Sequence, residues 1–126
     1  MIQVYEIRFF RDRRGRQPVK ELLLELAVKK KKDKSARVNF EKIVDYIRKL
    51  QSDGKGAGEP YIKHLEGEIW ELRPLRHRIL FVGVHENSFY LLHHFLKKTQ
   101  KTPQSEIDKA KRELAYLLEG EDSEHE

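Results

Sequence analysis

Apolar and polar positions alternate over residues 4–10, where Tyr5, Ile7 and Phe9 are separated by charged side chains. A period of two residues is typical of a strand that buries one face. After a charged turn, apolar residues recur at helical spacing in two stripes, and a short basic turn separates them, so the pattern predicts two packed helices. The stripes consist of Val19, Leu22, Leu23 and Leu26, and of Phe40, Ile43, Val44, Ile47 and Leu50.

The second half of the chain carries strand patterns over residues 69–73, 78–85 and 89–95. A loop over residues 52–60 precedes them, a tight turn at Glu86-Asn87 joins the last two strands, and Thr102-Pro103 begins a final helix. We therefore predict one α+β domain over residues 1–119, with an antiparallel sheet of about four strands, the helix pair packed on one side and a C-terminal helix. Residues 120–126 are expected to form an acidic, frayed tail.

The hairpin around residues 74–77 sets two arginines opposite each other. A four-residue loop pairs Arg73 with Arg78 and leaves the apolar partners on the other face. Like charges directly opposite each other destabilise a sheet unless an anion binds between them, so the pair predicts an anion site. Alternatively, both arginines are solvated strand charges paired with Glu71 or Glu68. The apolar pairs of this register are Trp70 with Phe81 and Leu72 with Ile79.

The next hairpin decides which histidine joins the arginines. A two-residue turn at Glu86-Asn87 places Leu92 beside Phe81, His93 on the arginine face and His94 on the core side, with Lys97 following His93. One residue more or less in the turn exchanges the two histidines. His93 is a candidate for proton transfer, or equally a structural histidine of the strand, and the basic run over residues 97–101 is a candidate phosphate contact or a solvated turn.

The charge balance points to a class of partner. The chain has 26 basic and 21 acidic residues, a formal net charge of +5, and five of the acids lie in the last eight residues. The other 118 residues therefore hold 26 basic and 16 acidic residues, a net charge of +10. Such a body suits a polyanion, since nucleic-acid phosphates reward lysine and arginine through counterion release, although basic surfaces also serve solubility alone.

Several classes of protein are disfavoured. The chain has no cysteine, no apolar run near the roughly 18 residues of a membrane span, and no signal-peptide layout at its N-terminus, so we expect a cytoplasmic protein without membrane contact. His93 and His94 diverge in a strand and no other metal-ligand spacing occurs. There is no nucleophile elbow of the Gly-x-Ser-x-Gly type. We expect no metal and no cofactor.

The later strands and the start of the last helix resemble a known family. The resemblance is carried by Lys63-x-Leu65, Ile69-Trp70-Glu71-Leu72-Arg73, Arg78-Ile79-Leu80-Phe81 and residues 91–103, continuing into Glu106-Ile107 and Ala110. Their order and spacing over residues 3–115 are similar to the phage-derived HigB-like branch of the RelE/ParE toxin superfamily. The resemblance implies a RelE-like fold and the toxin of a type II toxin–antitoxin system. It also implies metal-independent mRNA cleavage in the ribosomal A site, by attack of the RNA's 2′-hydroxyl on the adjacent phosphate.

The resemblance also implies roles for individual residues. Arg73 and Arg78 match the strand cations that hold the scissile phosphate. His93 matches the histidine of the family's Leu-His-x-Phe segment, and we expect it to act as general base or acid. Lys98 matches a residue of the family's basic turn, and we expect it to take part in catalysis. The implied RNA-binding residues are Lys63, Arg76, Lys97 and Lys101. The chain departs from the RelE branch in one respect: that branch uses a tyrosine near the C-terminal helix, and Tyr116 lies too far along the chain to match it. The identity of the general base is therefore left open.

Two other functions and a set of partners accompany this interpretation. The same superfamily holds ParE-type inhibitors of DNA gyrase, and a basic nucleic-acid-binding module without catalysis would use the same face. The implied partners are the ribosome and mRNA, a HigA-like helix-turn-helix antitoxin, and operator DNA through the antitoxin complex only. The basic clusters at residues 8–16 and 29–34 are candidate contacts to ribosomal RNA or ordinary solvated charge.

Overall fold

The computed structural model describes residues 5–124, and the side chains through residue 120. It is an α+β domain, as the sequence predicts. The elements are β1 (Glu6–Phe9), α1 (Pro18–Lys29), α2 (Lys34–Asp53), a short 3₁₀ turn (Gly54–Ala57), β2 (Ile62–Glu66), β3 (Ile69–Leu72), β4 (His77–Val84), β5 (Ser88–Leu96) and α3 (Gln104–Glu124). None of the helices within residues 5–124 combines the length and apolar composition that a membrane span requires.

The sheet has five strands in the order β1-β5-β4-β3-β2 and is mixed, because β1 runs parallel to β5 while the other neighbours are antiparallel. The predicted antiparallel sheet of about four strands was wrong on both points. The prediction missed β2 because a register shift between His64 and Glu66 breaks its alternation. It missed the parallel pairing because β1 and β5 are separated by nearly 80 residues, including the whole helix pair.

The first hairpin has the predicted register. Trp70 pairs with Phe81 and Leu72 with Ile79, and β3 ends there. Arg73 therefore lies just beyond the paired strands. Arg73 and Arg78 are therefore not a pair within the sheet, although the register is the predicted one and both side chains lie near the Glu71 carboxylate.

The second hairpin differs from the prediction at its turn. Three residues (85–87) form the turn instead of two, so Phe81 pairs with Leu91 and not with Leu92. A register shift next to Phe81 then restores the predicted pairing, and Leu80 lies opposite His93. The bulge compensates for the extra turn residue, and this is why His93 still lies on the predicted face.

Each face of the sheet has its own helices and its own apolar cluster. The αα-hairpin of α1 and α2 covers one face, as predicted, and α3 crosses the other over β3, β4 and β5. The cluster beneath the hairpin includes Val19, Leu22, Ile43, Leu50, Ile62, Leu72, Ile79, Phe81, Phe89 and Leu91. The cluster beneath α3 includes Phe10, Ile69, Leu80, Val82, Val84, Leu92 and Ala110. The face on which the sequence places the arginines is therefore largely covered and not open.

The last helix runs further than its apolar stripe indicates. Its backbone is helical through Glu124, although the sequence predicts a frayed tail from residue 120. The last two residues of that tail lie outside the described part of the chain. The division into a domain and an acidic tail stays a prediction.

Candidate functional site

A cavity of 490 Å³ opens where the start of β4, the end of β5, the following loop and the first turn of α3 meet. Its volume is in the range of small-ligand pockets. Four of its lining residues are basic and one is acidic, so its charge favours an anion. The lining consists of Arg78, Phe95, Leu96, Lys97, Lys98, Thr99, Gln100, Lys101, Thr102, Pro103 and Glu106. The fold thus brings Arg78 together with Lys97, Lys98 and Lys101, as the sequence predicts.

Arg78 is held rigidly at the back of this cavity. The residue is only 7% exposed, and its Nη1 donates to the carbonyl oxygens of Leu75 at 2.7 Å and His77 at 2.9 Å. Leu75 has a φ of 55°, a left-handed conformation that is unfavourable for leucine, in the turn that supplies the first of these carbonyls. Burial lowers the pKa of Arg78 from its ordinary value, yet a guanidinium stays charged at neutral pH. The turn therefore presents a fixed cation.

The carboxylate of Glu71 lies within ion-pair distance of both Arg73 and Arg78, and it is fully buried. Its Oε1 lies 3.8 Å from Nε of Arg78 and 3.5 Å from Nε of Arg73, and its Oε2 accepts a 2.5 Å hydrogen bond from the Thr102 hydroxyl. One carboxylate facing two guanidinium groups leaves a net positive charge. The alternative that the arginines pair with Glu71 is therefore confirmed, but Arg78 is not solvated.

His93 lies beneath α3 and not in the cavity. Its side chain is 2% exposed, Nδ1 lies 2.5 Å from Oε1 of Glu113, and Nε2 lies 2.9 Å from Oε1 of Glu106. A protonated imidazole donates to both carboxylates from this position. Glu106 lines the cavity, whereas His93 does not. The role of His93 as general base or acid stays a prediction.

The two glutamates were missed at the sequence level, although a signal for them exists. Glu106 and Glu113 are seven residues apart in α3, with Ala110 between them on the same helical stripe. Two acids on an otherwise apolar stripe predict a buried cation or a shared proton. The histidine that meets them is on another element, so helix periodicity alone does not identify it.

His94, the next residue, lies on the opposite face. It lines a separate cleft together with Pro18, Glu21 and Glu25 of α1. Burial is the main cause that lowers the pKa of His94, nearby positive charge adds to it, and Glu25 opposes it. The ring is therefore kept neutral near physiological pH.

The remaining predicted residues, Arg73, Arg76 and Lys63, do not line the cavity. Arg73 reaches it only through Glu71. Arg76 is exposed, and its Nη2 donates to the Lys97 carbonyl at 3.3 Å, while the Lys97 backbone N–H donates to the Arg76 carbonyl. Lys63 is exposed on β2, directly paired with Glu71. Between residues 5 and 124, no group of three or more His, Cys, Asp or Glu side chains is arranged to hold a metal ion.

The fold and the cavity define a small α+β protein of the RelE type with a basic pocket. Residues 30–115, about two thirds of the chain, match the family model described as Phage derived protein Gp49-like (DUF891). The chain belongs to this family of phage-derived, RelE- and toxin-type proteins. The matched region contains every residue that lines the cavity. None of the curated proteins matches the chain significantly.

Proposed function

We propose that this protein is the toxin of a type II toxin–antitoxin pair of the HigB-like branch and a ribosome-dependent mRNA endonuclease. The cavity around Arg78 carries this proposal, because it combines a fixed guanidinium, three lysines and one carboxylate. Membership of a toxin-type family supports the biological setting. Cleavage by the RNA's own 2′-hydroxyl needs the groups found here: cations for the charged phosphorane, and donors and acceptors of protons.

Arg78 is proposed to hold the non-bridging oxygens of the scissile phosphate. Its contacts to two carbonyls and to Glu71 fix the guanidinium, so little reorganisation is needed as negative charge develops. Arg73 acts on the same phosphate region through Glu71. Lys98, in the exposed loop, is the proposed donor of a proton to the leaving 5′-oxygen.

RNA flanking the cut is proposed to follow the cations outside the cavity. Lys97 and Lys101 line the cavity rim, and Arg76 is hydrogen-bonded to the Lys97 carbonyl. Lys63 extends the basic surface towards β2. Contacts of this kind weaken with salt, so the logarithm of the RNA-binding constant should fall linearly with the logarithm of the salt concentration.

A non-catalytic basic module is the second candidate function. The burial of His93 favours it, because the histidine predicted to transfer protons does not reach the cavity. A ParE-type inhibition of gyrase remains an outcome of the test below and has no specific observation in its favour.

The proposed partners are those that the resemblance to the toxin superfamily implies. mRNA in the ribosomal A site is the substrate, and a HigA-like helix-turn-helix antitoxin neutralises the toxin by covering the basic rim or by preventing ribosome entry. Operator DNA is bound only through the antitoxin complex, and the toxin acts in the cytoplasm. A complex that leaves the rim fully open and ribosome docking unobstructed would contradict this mode of inhibition.

The test is primer extension on a reporter mRNA translated in a purified system. Wild type should produce cuts that require ribosomes. Arg78→Lys should reduce the rate of cleavage by about 10²- to 10³-fold, because lysine keeps the charge but cannot form the bidentate hydrogen bonds of a guanidinium group. Lys42→Ala is the matched control, because it removes an exposed charge of α2 away from the cavity.

Wild type that is folded yet leaves the mRNA intact during active translation would overturn the nuclease proposal. Inhibition of gyrase by the same sample would then indicate the ParE-type function. Binding of RNA without cleavage would indicate the non-catalytic module.

A further inference from the structure

Glu106 is the one carboxylate of the cavity lining, and no sequence argument assigns it a role. It lies in the first turn of α3, and its side chain is 28% exposed. Its Oε1 contacts Nε2 of His93. Among the described residues, Oε2 takes part in no hydrogen bond, so this oxygen is available to a molecule in the cavity.

Behind Glu106, two further groups lead into the protein. His93 is 2% exposed and Glu113 is 11% exposed, and the histidine ring joins the two carboxylates through contacts of 2.9 Å and 2.5 Å. Glu113 fixes the orientation of the ring, in the way a buried acid orients a catalytic histidine. The ring can share a proton with Glu106 without moving, because its Nε2 already faces Oε1.

We propose that Glu106 is the general base of the RNA cleavage reaction, with His93 and Glu113 as positioning residues. This inference rests on the proposed nuclease function. Glu106 takes the proton of the 2′-hydroxyl, the 2′-oxygen forms a bond to phosphorus, and the bond from phosphorus to the 5′-oxygen breaks. The leaving oxygen takes a proton from Lys98, and the products are a 2′,3′-cyclic phosphate and a 5′-hydroxyl.

Accessibility favours Glu106 over His93 as the base. A general base must approach the proton it removes to within about 2.6–3.2 Å between heavy atoms. His93 is buried and both ring nitrogens contact carboxylates. Glu106 has an available oxygen in the cavity that also holds Arg78 and Lys98.

Neither binding nor helix packing explains the carboxylate as well. A negative charge among four cations repels RNA, so a pocket used only for binding would gain affinity from a neutral side chain here. Attachment of α3 to the sheet does not depend on Glu106 alone, because Glu113 makes the shorter and more buried contact to the same ring. A proton acceptor beside the substrate phosphate accounts for both observations.

The test compares Glu106→Gln with Asp108→Asn in single-turnover cleavage on programmed ribosomes. Asp108 is an exposed acid of the same helix whose side chain contacts Gln104, and its variant should cleave like wild type. Glu106→Gln should cleave at least about 100-fold more slowly. It should bind a 2′-deoxy RNA as tightly as wild type or more tightly. In Glu106→Ala, added formate should restore part of the rate.

The inference is overturned if Glu106→Gln cleaves within about threefold of wild type. It is also overturned if binding and cleavage fall together and formate has no effect on Glu106→Ala. Absence of cleavage by wild type itself would instead remove the proposed nuclease function, and the role of Glu106 with it.

Discussion

His93 and His94 are neighbours in β5 but lie on opposite faces of the sheet, in opposite electrostatic surroundings. Each ring nitrogen of His93 contacts a glutamate of α3. The pKa of His94 is instead lowered, mainly by burial, on the side of α1. One face therefore surrounds its histidine with negative charge, and the other keeps its histidine neutral.

The contrast extends from the two rings to the two faces. Beneath α1 and α2 the hydrophobic cluster is accompanied by one buried histidine, His77, whereas the α3 side buries the Glu71 carboxylate, the Arg78 guanidinium and His93. Apolar burial stabilises the fold, while buried charges cost desolvation that their partners offset only in part. Buried charged groups gather at functional sites, and Glu71 and Arg78 both lie on the α3 side, which supports this side as the functional one.

The largest expected effect comes from removal of the His93 ring. His93→Ala leaves Glu106 and Glu113 facing each other without the ring between them, and each carboxylate that loses its hydrogen-bond partner costs about 1–3 kcal/mol of the free energy of unfolding. His94→Ala is the matched control and should cost about 1 kcal/mol, because no charge loses a close partner. Urea unfolding measures both, and equal losses would contradict the contrast between the faces.

Thr102→Val should have the next largest effect. It removes the hydroxyl that donates to the buried Glu71 carboxylate, and a hydrogen bond to a charged group contributes about 1.5–3 kcal/mol. Thr99→Val, in the same loop, removes a hydroxyl bonded to the Lys101 carbonyl at an exposed position and should cost less than about 1 kcal/mol. A Thr102 variant as stable as the Thr99 variant would show that Glu71 does not depend on this donor.

On the apolar face, Ile43→Val should cost about 0.5–1.5 kcal/mol, since it removes one buried methylene. The loss should be the same at pH 6 and pH 8, because the cluster around Ile43 consists of apolar residues and tyrosines, and a tyrosine hydroxyl ordinarily titrates near pH 10. Thermal unfolding at the two pH values checks this. A loss of stability that changes with pH would mean that titrating groups on neighbouring elements affect the packing of this cluster.

The smallest expected effect is a pH dependence from His77 and His94. Burial lowers the pKa of both, so the folded protein favours neutral rings and the unfolded chain takes up protons first as the pH falls. Their stabilising contribution is present above the unfolded pKa of about 6.5 and is lost as the pH falls through the folded values. The stability difference between wild type and a His77→Asn/His94→Asn variant should therefore shrink from pH 7.5 to 5.5. A difference in stability that stays constant or grows as the pH falls would contradict the lowered pKa values of these histidines.

The sequence was sufficient for the helices, for four of the five strands and for the register next to the cavity. Helical spacing identified all three helices, and the apolar pairing of Trp70 with Phe81 set the first hairpin correctly. The grouping of Arg78 with Lys97, Lys98 and Lys101 follows from the pairing of β4 with β5, because the basic run continues directly from the end of β5 beside the start of β4.

What the sequence did not predict depends on contacts between distant segments. The bulge in β2 hides its alternation, and the parallel pairing of β1 with β5 joins residues about 80 positions apart. The crossing of α3 over the arginine face was the largest omission. The stripe of α3 predicts a buried side but not the element it packs against, so the contacts of Glu106 and Glu113 with His93 emerge only in three dimensions.

The proposal that this cavity cleaves RNA through the 2′-hydroxyl is tested most directly with one modified nucleotide. Once the cut site is mapped, the mRNA is prepared with a 2′-deoxy sugar immediately 5′ of the scissile phosphate and presented to wild-type protein on programmed ribosomes. We expect cleavage at that site to disappear, while the unmodified mRNA yields a 2′,3′-cyclic phosphate and a 5′-hydroxyl. Cleavage of the 2′-deoxy mRNA at the same rate, or products with a 5′-phosphate, would contradict the proposed chemistry.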